Sequence, residues 1–177
     1  MSNLIIGIDQ SIEETGITFM LSPDYYTTYS VCGKGKGSLD RIESIRAKVY
    51  DLVKASKDKI VDKTFYAFLE GGSFQSKGQL FTLGQLSGSI IGTLNFLGIK
   101  VFEIPPTTLK LFMAGTGAAN KAYMMKKIQE KYNIVFTNDN KADSYSLAVL
   151  GIKLLNGVSE YREEANVIFN LRQKLHL

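Results

Sequence analysis

Leu4-Ile5-Ile6-Gly7-Ile8-Asp9 is a short apolar run that stops at a carboxylate, and Thr64-Phe65-Tyr66-Ala67-Phe68-Leu69-Glu70 has the same form. Runs of this length, rich in branched and aromatic residues and bounded by turn residues, read as buried strands. Between them, Leu39, Ile42, Ile45, Val49, Leu52 and Val53 recur at three- and four-residue spacing from Ser38 to about Ser56, the stripe of an amphipathic helix. A helix between two strands supplies the crossover that parallel pairing needs. As parallel neighbours, the two strands deliver Asp9 and Glu70 to the same edge of a sheet.

Working outward, Gly16–Leu21 and Tyr25–Val31 are strand-like and are separated by the turn Ser22-Pro23-Asp24. With the first run they make a three-strand meander. Leu80, Leu83, Leu86, Ile90, Leu94 and Leu97 form a second helical stripe, and Lys100–Ile104 is a short strand closed by Pro105-Pro106. The order is then βββαβαβ. Helices are expected beyond it at Thr107–Ala114, Ala119–Tyr132 and from about Lys141 to Leu155, followed by a charged helical tail over 159–177.

The chain has 177 residues, of which 45% are hydrophobic and 21% charged. That is the profile of one folded domain over 1–177, able to bury about 70% of its unfolded surface. Cys32 is the only cysteine and His176, next to the last residue, the only histidine. An intramolecular disulfide and a cysteine-based metal cluster are therefore excluded, and histidine-based catalysis is disfavoured. A reducing cytoplasm fits. Residues Met1–Gly7 carry no basic region before a long apolar stretch, so no signal peptide is expected. No charge occurs between Lys77 and Lys100, but Gln79, Thr82, Gln85 and Asn95 interrupt that stretch, and no membrane association is expected. Lys plus Arg exceed Asp plus Glu by 21 to 17, a mild preference for a polyanion.

A third source of acid is the helix start Asn138-Asp139-Asn140-Lys141-Ala142-Asp143. Positions 139 and 143, and positions 140 and 143, share a helix face. Carboxylates packed together raise one another's pKa, and a hard divalent cation bound by oxygen is the common compensation. Mg²⁺ or Mn²⁺ is expected. Two such ions about 4 Å apart activate water and stabilise a leaving oxygen in phosphodiester cleavage.

Gly7-Ile8-Asp9-Gln10-Ser11 with Thr15-Gly16, Leu69-Glu70, Leu83-Gly84-Gln85, Pro105 with Lys110, Gly115-Thr116-Gly117-Ala118-Ala119-Asn120-Lys121 and Asn140-Lys141-Ala142-Asp143 resemble, in that order, the RuvC-type Holliday junction resolvases. The match covers about residues 4–155 and is nearest to small phage-encoded members. The resemblance implies an RNase H-like α/β fold, with a mixed five-stranded sheet of order 3-2-1-4-5 flanked by helices. It further implies a homodimer that nicks four-way and other branched DNA in pairs with Mg²⁺, in the cytoplasm of a bacterial or phage-infected cell. By position, Asp9, Glu70 and Asp143 resemble the family's metal-binding acids, and Lys121 a lysine beside the scissile phosphate. Asn140 stands where the family has a fourth carboxylate, and an amide is a weaker ligand for a hard cation. Three accounts compete: Asn140 is a native ligand, Asp139 has taken over the duty, or an Asp→Asn substitution has inactivated the chain. Gln10-Ser11 also departs from the family's Pro-Gly.

Lys126, Lys127 and Lys131 follow Lys121 on one helix and suggest a basic face. Lys34, Lys36, Lys77 and Lys110 add candidate phosphate contacts. Phe74, in the loop after Glu70, is the candidate wedge for opening base pairs, with Phe81 as the alternative. Gly84, Gly88 and Gly92 recur every fourth residue and allow close approach to the protein's own sheet or to a partner subunit. Gly115-Thr116-Gly117 lacks the Gly-Lys-Ser/Thr ending of a phosphate-binding loop, so no nucleotide cofactor is expected. The first motif also resembles that of actin-like kinases, which need two such domains and a longer chain. A nuclease for RNA–DNA hybrids, an exonuclease and a non-cleaving branched-DNA-binding module remain as alternatives.

Overall fold

A computed structural model describes residues 3–71, 80–159 and 161–177. The strands are β1 (Asn3–Asp9), β2 (Glu14–Ser22), β3 (Tyr25–Cys32), β4 (Thr64–Glu70) and β5 (Lys100–Ile104). They form one sheet of order β3-β2-β1-β4-β5. β1–β2 and β2–β3 are antiparallel, while β1–β4 and β4–β5 are parallel. This is the mixed sheet of the RNase H-like fold. The helices are α1 (Ser38–Lys59), α2 (Leu80–Phe96), α3 (Pro106–Ala114), α4 (Lys121–Tyr132), α5 (Asp139–Asn156) and α6 (Arg162–Leu175).

Strand alternation sorts the side chains to two faces. Leu4, Ile6 and Ile8 of β1, with Phe65, Ala67 and Leu69 of β4, pack against α1 and α2. Ile5 and Phe68 point the other way, into a core with α3, α4, α5 and α6. By the same parity, Asp9 and Glu70 belong to this second face. The β1–β4 register pairs Gly7 with Phe68 and Ile8 with Leu69, so the two acids are the next step along adjacent strands.

α5 is buried along most of its length, from Ala142 to Leu154, because it crosses the middle of that face. Two glycines let it lie so close. A Cβ at Gly7 would fall on the Ser144 carbonyl, and one at Gly16 on the Asn140 carbonyl. Tyr145, fully buried, packs on Tyr26, Tyr132 and Phe136 and donates its hydroxyl to the Pro23 carbonyl at 3.2 Å. α5 starts at Asp139, earlier than the apolar pattern alone indicates, because Asn138 caps it and accepts from the Lys141 amide at 3.0 Å.

Two expectations are corrected. Lys131 does not join a basic face: it points inward and pairs with Glu164 of α6 at 2.7 Å. Lys153 of α5 pairs with the same carboxylate at 2.6 Å, and Glu164 is fully buried, so the charged tail is anchored to α4 and α5. Gly84, Gly88 and Gly92 do not approach the sheet, since among the described residues a Cβ on any of them would meet nothing within 4 Å.

Candidate active site

The turn after β1 is shaped by its own hydroxyls. Thr15 donates to the Ser11 carbonyl at 2.8 Å and accepts from the Ser11 amide at 3.2 Å. Gln10 spans the gap to β4, its amide donating to the Glu70 carbonyl at 2.9 Å. These bonds fix the strand ends from which Asp9 and Glu70 project.

Asp9 is 7% exposed. Burial, then the charges of Glu70 and Asp143, hold its carboxyl well above the usual carboxylate range, and it hydrogen-bonds Glu70. Glu70 is raised chiefly by burial, against the Asp9 hydrogen bond and the cations of Lys110 and Lys121. Asp143, brought in by α5, is pushed up to about 7 by burial first and by Glu70 second. The three acids foreseen from sequence thus meet on one face and share one electrostatic problem.

That problem tests the expected cation. The donors are all oxygen, come from three rigid elements and repel one another, a set suited to a hard divalent ion and unsuited to a soft one. Among the described residues no three carboxylate, imidazole or thiolate groups are drawn together as tightly as around a bound ion. The fit therefore rests on donor chemistry and on shared charge.

Lys121, first residue of α4, is ion-paired with Asp139, which raises the lysine pKa and lowers that of Asp139. It also acts electrostatically on Asp9, Glu70 and Asp143. Lys110 of α3 acts on Glu70 and Asp143. Both candidate cations therefore border the acids. Asn140 presents its amide to the Glu14 carbonyl, donating at 2.9 Å.

No family model matches the chain. A RuvC crossover junction endodeoxyribonuclease of Endomicrobium trichonymphae is 25% identical over 175 residues, covering 93% of this chain and 88% of the relative. That of Prochlorococcus marinus subsp. pastoris is 28% identical over 154 residues, covering 82% and 93%. The chain is RuvC-like. Among solved structures, Thermus thermophilus RuvC in complex with a Holliday junction substrate superposes with a TM-score of 0.68 at 15% identity, over 88% of this chain and 96% of that one. The yeast mitochondrial Holliday junction resolvase Ydc2 gives 0.55 at 13% identity, over 99% and 85%.

On this RuvC-like frame the remaining candidates are dispersed. Lys34 and Lys36 are exposed in the loop after β3, where the Gly33 amide donates to the Glu13 carbonyl and that of Lys34 to Ser44. The loop therefore sits at the sheet end that carries Asp9. Lys126 is exposed, but Glu130 lies 3.7 Å from it and 2.6 Å from Lys127, which partly neutralises that face. Phe81 is 78% exposed at the start of α2. Phe74 and Lys77 lie outside the described residues. Sequence reasoning missed Glu14, whose carboxylate accepts from Asn138 at 2.8 Å. No sequence signal links residues so far apart.

Proposed function

We propose that this protein is a Holliday junction-resolving endonuclease that uses divalent metal, Mg²⁺ or Mn²⁺ with two ions per site, to hydrolyse phosphodiesters in branched DNA. The observation that carries the reading is the meeting of Asp9, Glu70 and Asp143 on one face of a RuvC-like fold. Asp9, Glu70 and Asp143 are the residues that would hold the ions, and Asp139, ion-paired with Lys121, adds its charge beside Asp143. When bound, such ions supply Lewis acidity for water attack and for the departing oxygen.

The protein's own residues do the rest. β1, β4 and α5 pre-set the three carboxylates, so little reorganisation accompanies the chemistry. Lys121 exchanges Asp139 for the scissile phosphate and stabilises the negative charge that develops there. Lys110, Lys34, Lys36 and Lys126 contact flanking phosphates and make binding salt-sensitive.

Paired nicking of a two-fold junction calls for a two-fold enzyme. α2 is the surface for a second copy: it carries no charged residue, exposes Phe81 and Phe96, and its glycine row meets none of the described residues. Labelled four-way junction, three-way junction, linear duplex and RNA–DNA hybrid, each with and without Mg²⁺, test the reading. Symmetric nicks in the four-way junction that require Mg²⁺ are expected. Cleavage of the hybrid alone would overturn the proposal.

A further inference from the structure

Asn140 occupies the place of a fourth carboxylate, yet its side chain already has a task. Its Nδ2 donates to the Glu14 carbonyl at 2.9 Å, and since a carbonyl only accepts, the amide orientation is settled by its partner. Two residues earlier, Asn138 caps α5 with its Oδ1 and donates Nδ2 to the Glu14 carboxylate at 2.8 Å. One turn further on, Ser144 exchanges a buried hydroxyl hydrogen bond of 2.8 Å with Thr18. Gly16 lies directly beneath the Asn140 carbonyl. The first turn of α5 is thus stitched to the start of β2, and Asp143 is carried on that turn.

We infer that Asn140 is a positioning residue and not an ion ligand: its amide holds α5 on β2 and so sets Asp143 against Asp9 and Glu70. An ionised carboxylate at this position has no proton to donate. It would face the Glu14 carbonyl with like partial charge and add a further negative group beside three acids, two of which, Asp9 and Asp143, are already raised by the charge of Glu70. The family's fourth acid is replaced here by a neutral donor, leaving three carboxylates to serve the site. The inference rests on the function proposed above, with the three acids as the ion site.

Asn140→Asp and Asn140→Ala are compared with wild type by Mn²⁺ titration calorimetry, by thermal unfolding without divalent cation, by junction binding in EDTA and by single-turnover nicking. Both variants are expected to lose about tenfold or more in Mn²⁺ affinity and in nicking rate, as outer-shell residues do, with junction affinity in EDTA unaltered. A purely structural role would move only the melting temperature. Tighter Mn²⁺ binding and faster nicking in Asn140→Asp would overturn the inference, as would wild-type behaviour of Asn140→Ala. If Asn140→Asp fails to fold, Asn140→Ala still decides the matter, because it removes the donor without adding charge. Wild-type protein that neither binds Mn²⁺ nor cuts any substrate would sink the proposed function instead, a separate and distinguishable result.

Discussion

Replacing Asp143 by Asn should stabilise the metal-free protein while abolishing its nuclease activity. The ordinary aspartate value of 3.8 is pushed up to about 7 in the fold, by burial first and by Glu70 second. Between those values the folded chain holds a proton that the unfolded chain has lost, so stability falls as pH rises through that window and is level above it. At ~1.4 kcal/mol per pH unit, the gap between 3.8 and about 7 amounts to ~4 kcal/mol. Partial solvent access and sharing of the charge with Asp9 and Glu70 reduce this to ~2 kcal/mol. The near-isosteric amide removes that cost and relieves Asp9 of one of its repulsive neighbours. For a chain of this size, ~2 kcal/mol corresponds to about 4–8 °C in melting temperature. Thermal unfolding in EDTA across a pH series is the assay. The Asp143→Asn and wild-type curves should coincide near pH 4, diverge through pH 7 and stay parallel above it, with the variant more stable. Millimolar Mg²⁺ should narrow the gap by stabilising wild type. A constant difference at every pH, or a variant less stable at pH 8, would refute the reasoning.

Lys121→Ala is expected to slow single-turnover nicking about 100-fold, with junction binding in EDTA nearly retained; a rate within about threefold of wild type removes Lys121 from the chemistry. Asp139→Asn breaks the Lys121 pair, whose side chains are 70% and 34% exposed, and urea unfolding should change by less than about 0.5 kcal/mol. Glu164→Ala strands two lysines whose side chains are only 12% and 10% exposed, and chemical denaturation should show a loss of about 3–5 kcal/mol. A loss below about 1 kcal/mol would mean that both lysines reach water by moving outward.

The sheet was legible because its signals are local. β1 and β4 each read as an apolar run ending in an acid, and the α1 stripe between them allows little besides a parallel crossover. Asp9, Glu70 and Asp143 followed from strand ends and one helix face. What escaped was decided by partners distant in sequence. Lys131 reads as one more surface lysine until Glu164, from α6, is packed beside it. The α2 glycines suggested close packing, and only the finished sheet shows that none of the described residues packs on them. Asn140 could be weighed as a ligand from its spacing, whereas its bond to Glu14 required β2 and α5 to be in contact.

Asp9, Glu70 and Asp143 are spread along nearly the whole chain, and the last of them rides on α5, which must cross the sheet before it meets the others. During synthesis from the N-terminus, a nascent chain carrying only β1 to β5 already displays Asp9 and Glu70 but lacks Asp143. The three acids come together only when α5 has emerged and docked, so the order of translation delays assembly of the proposed site until most of the chain has been made.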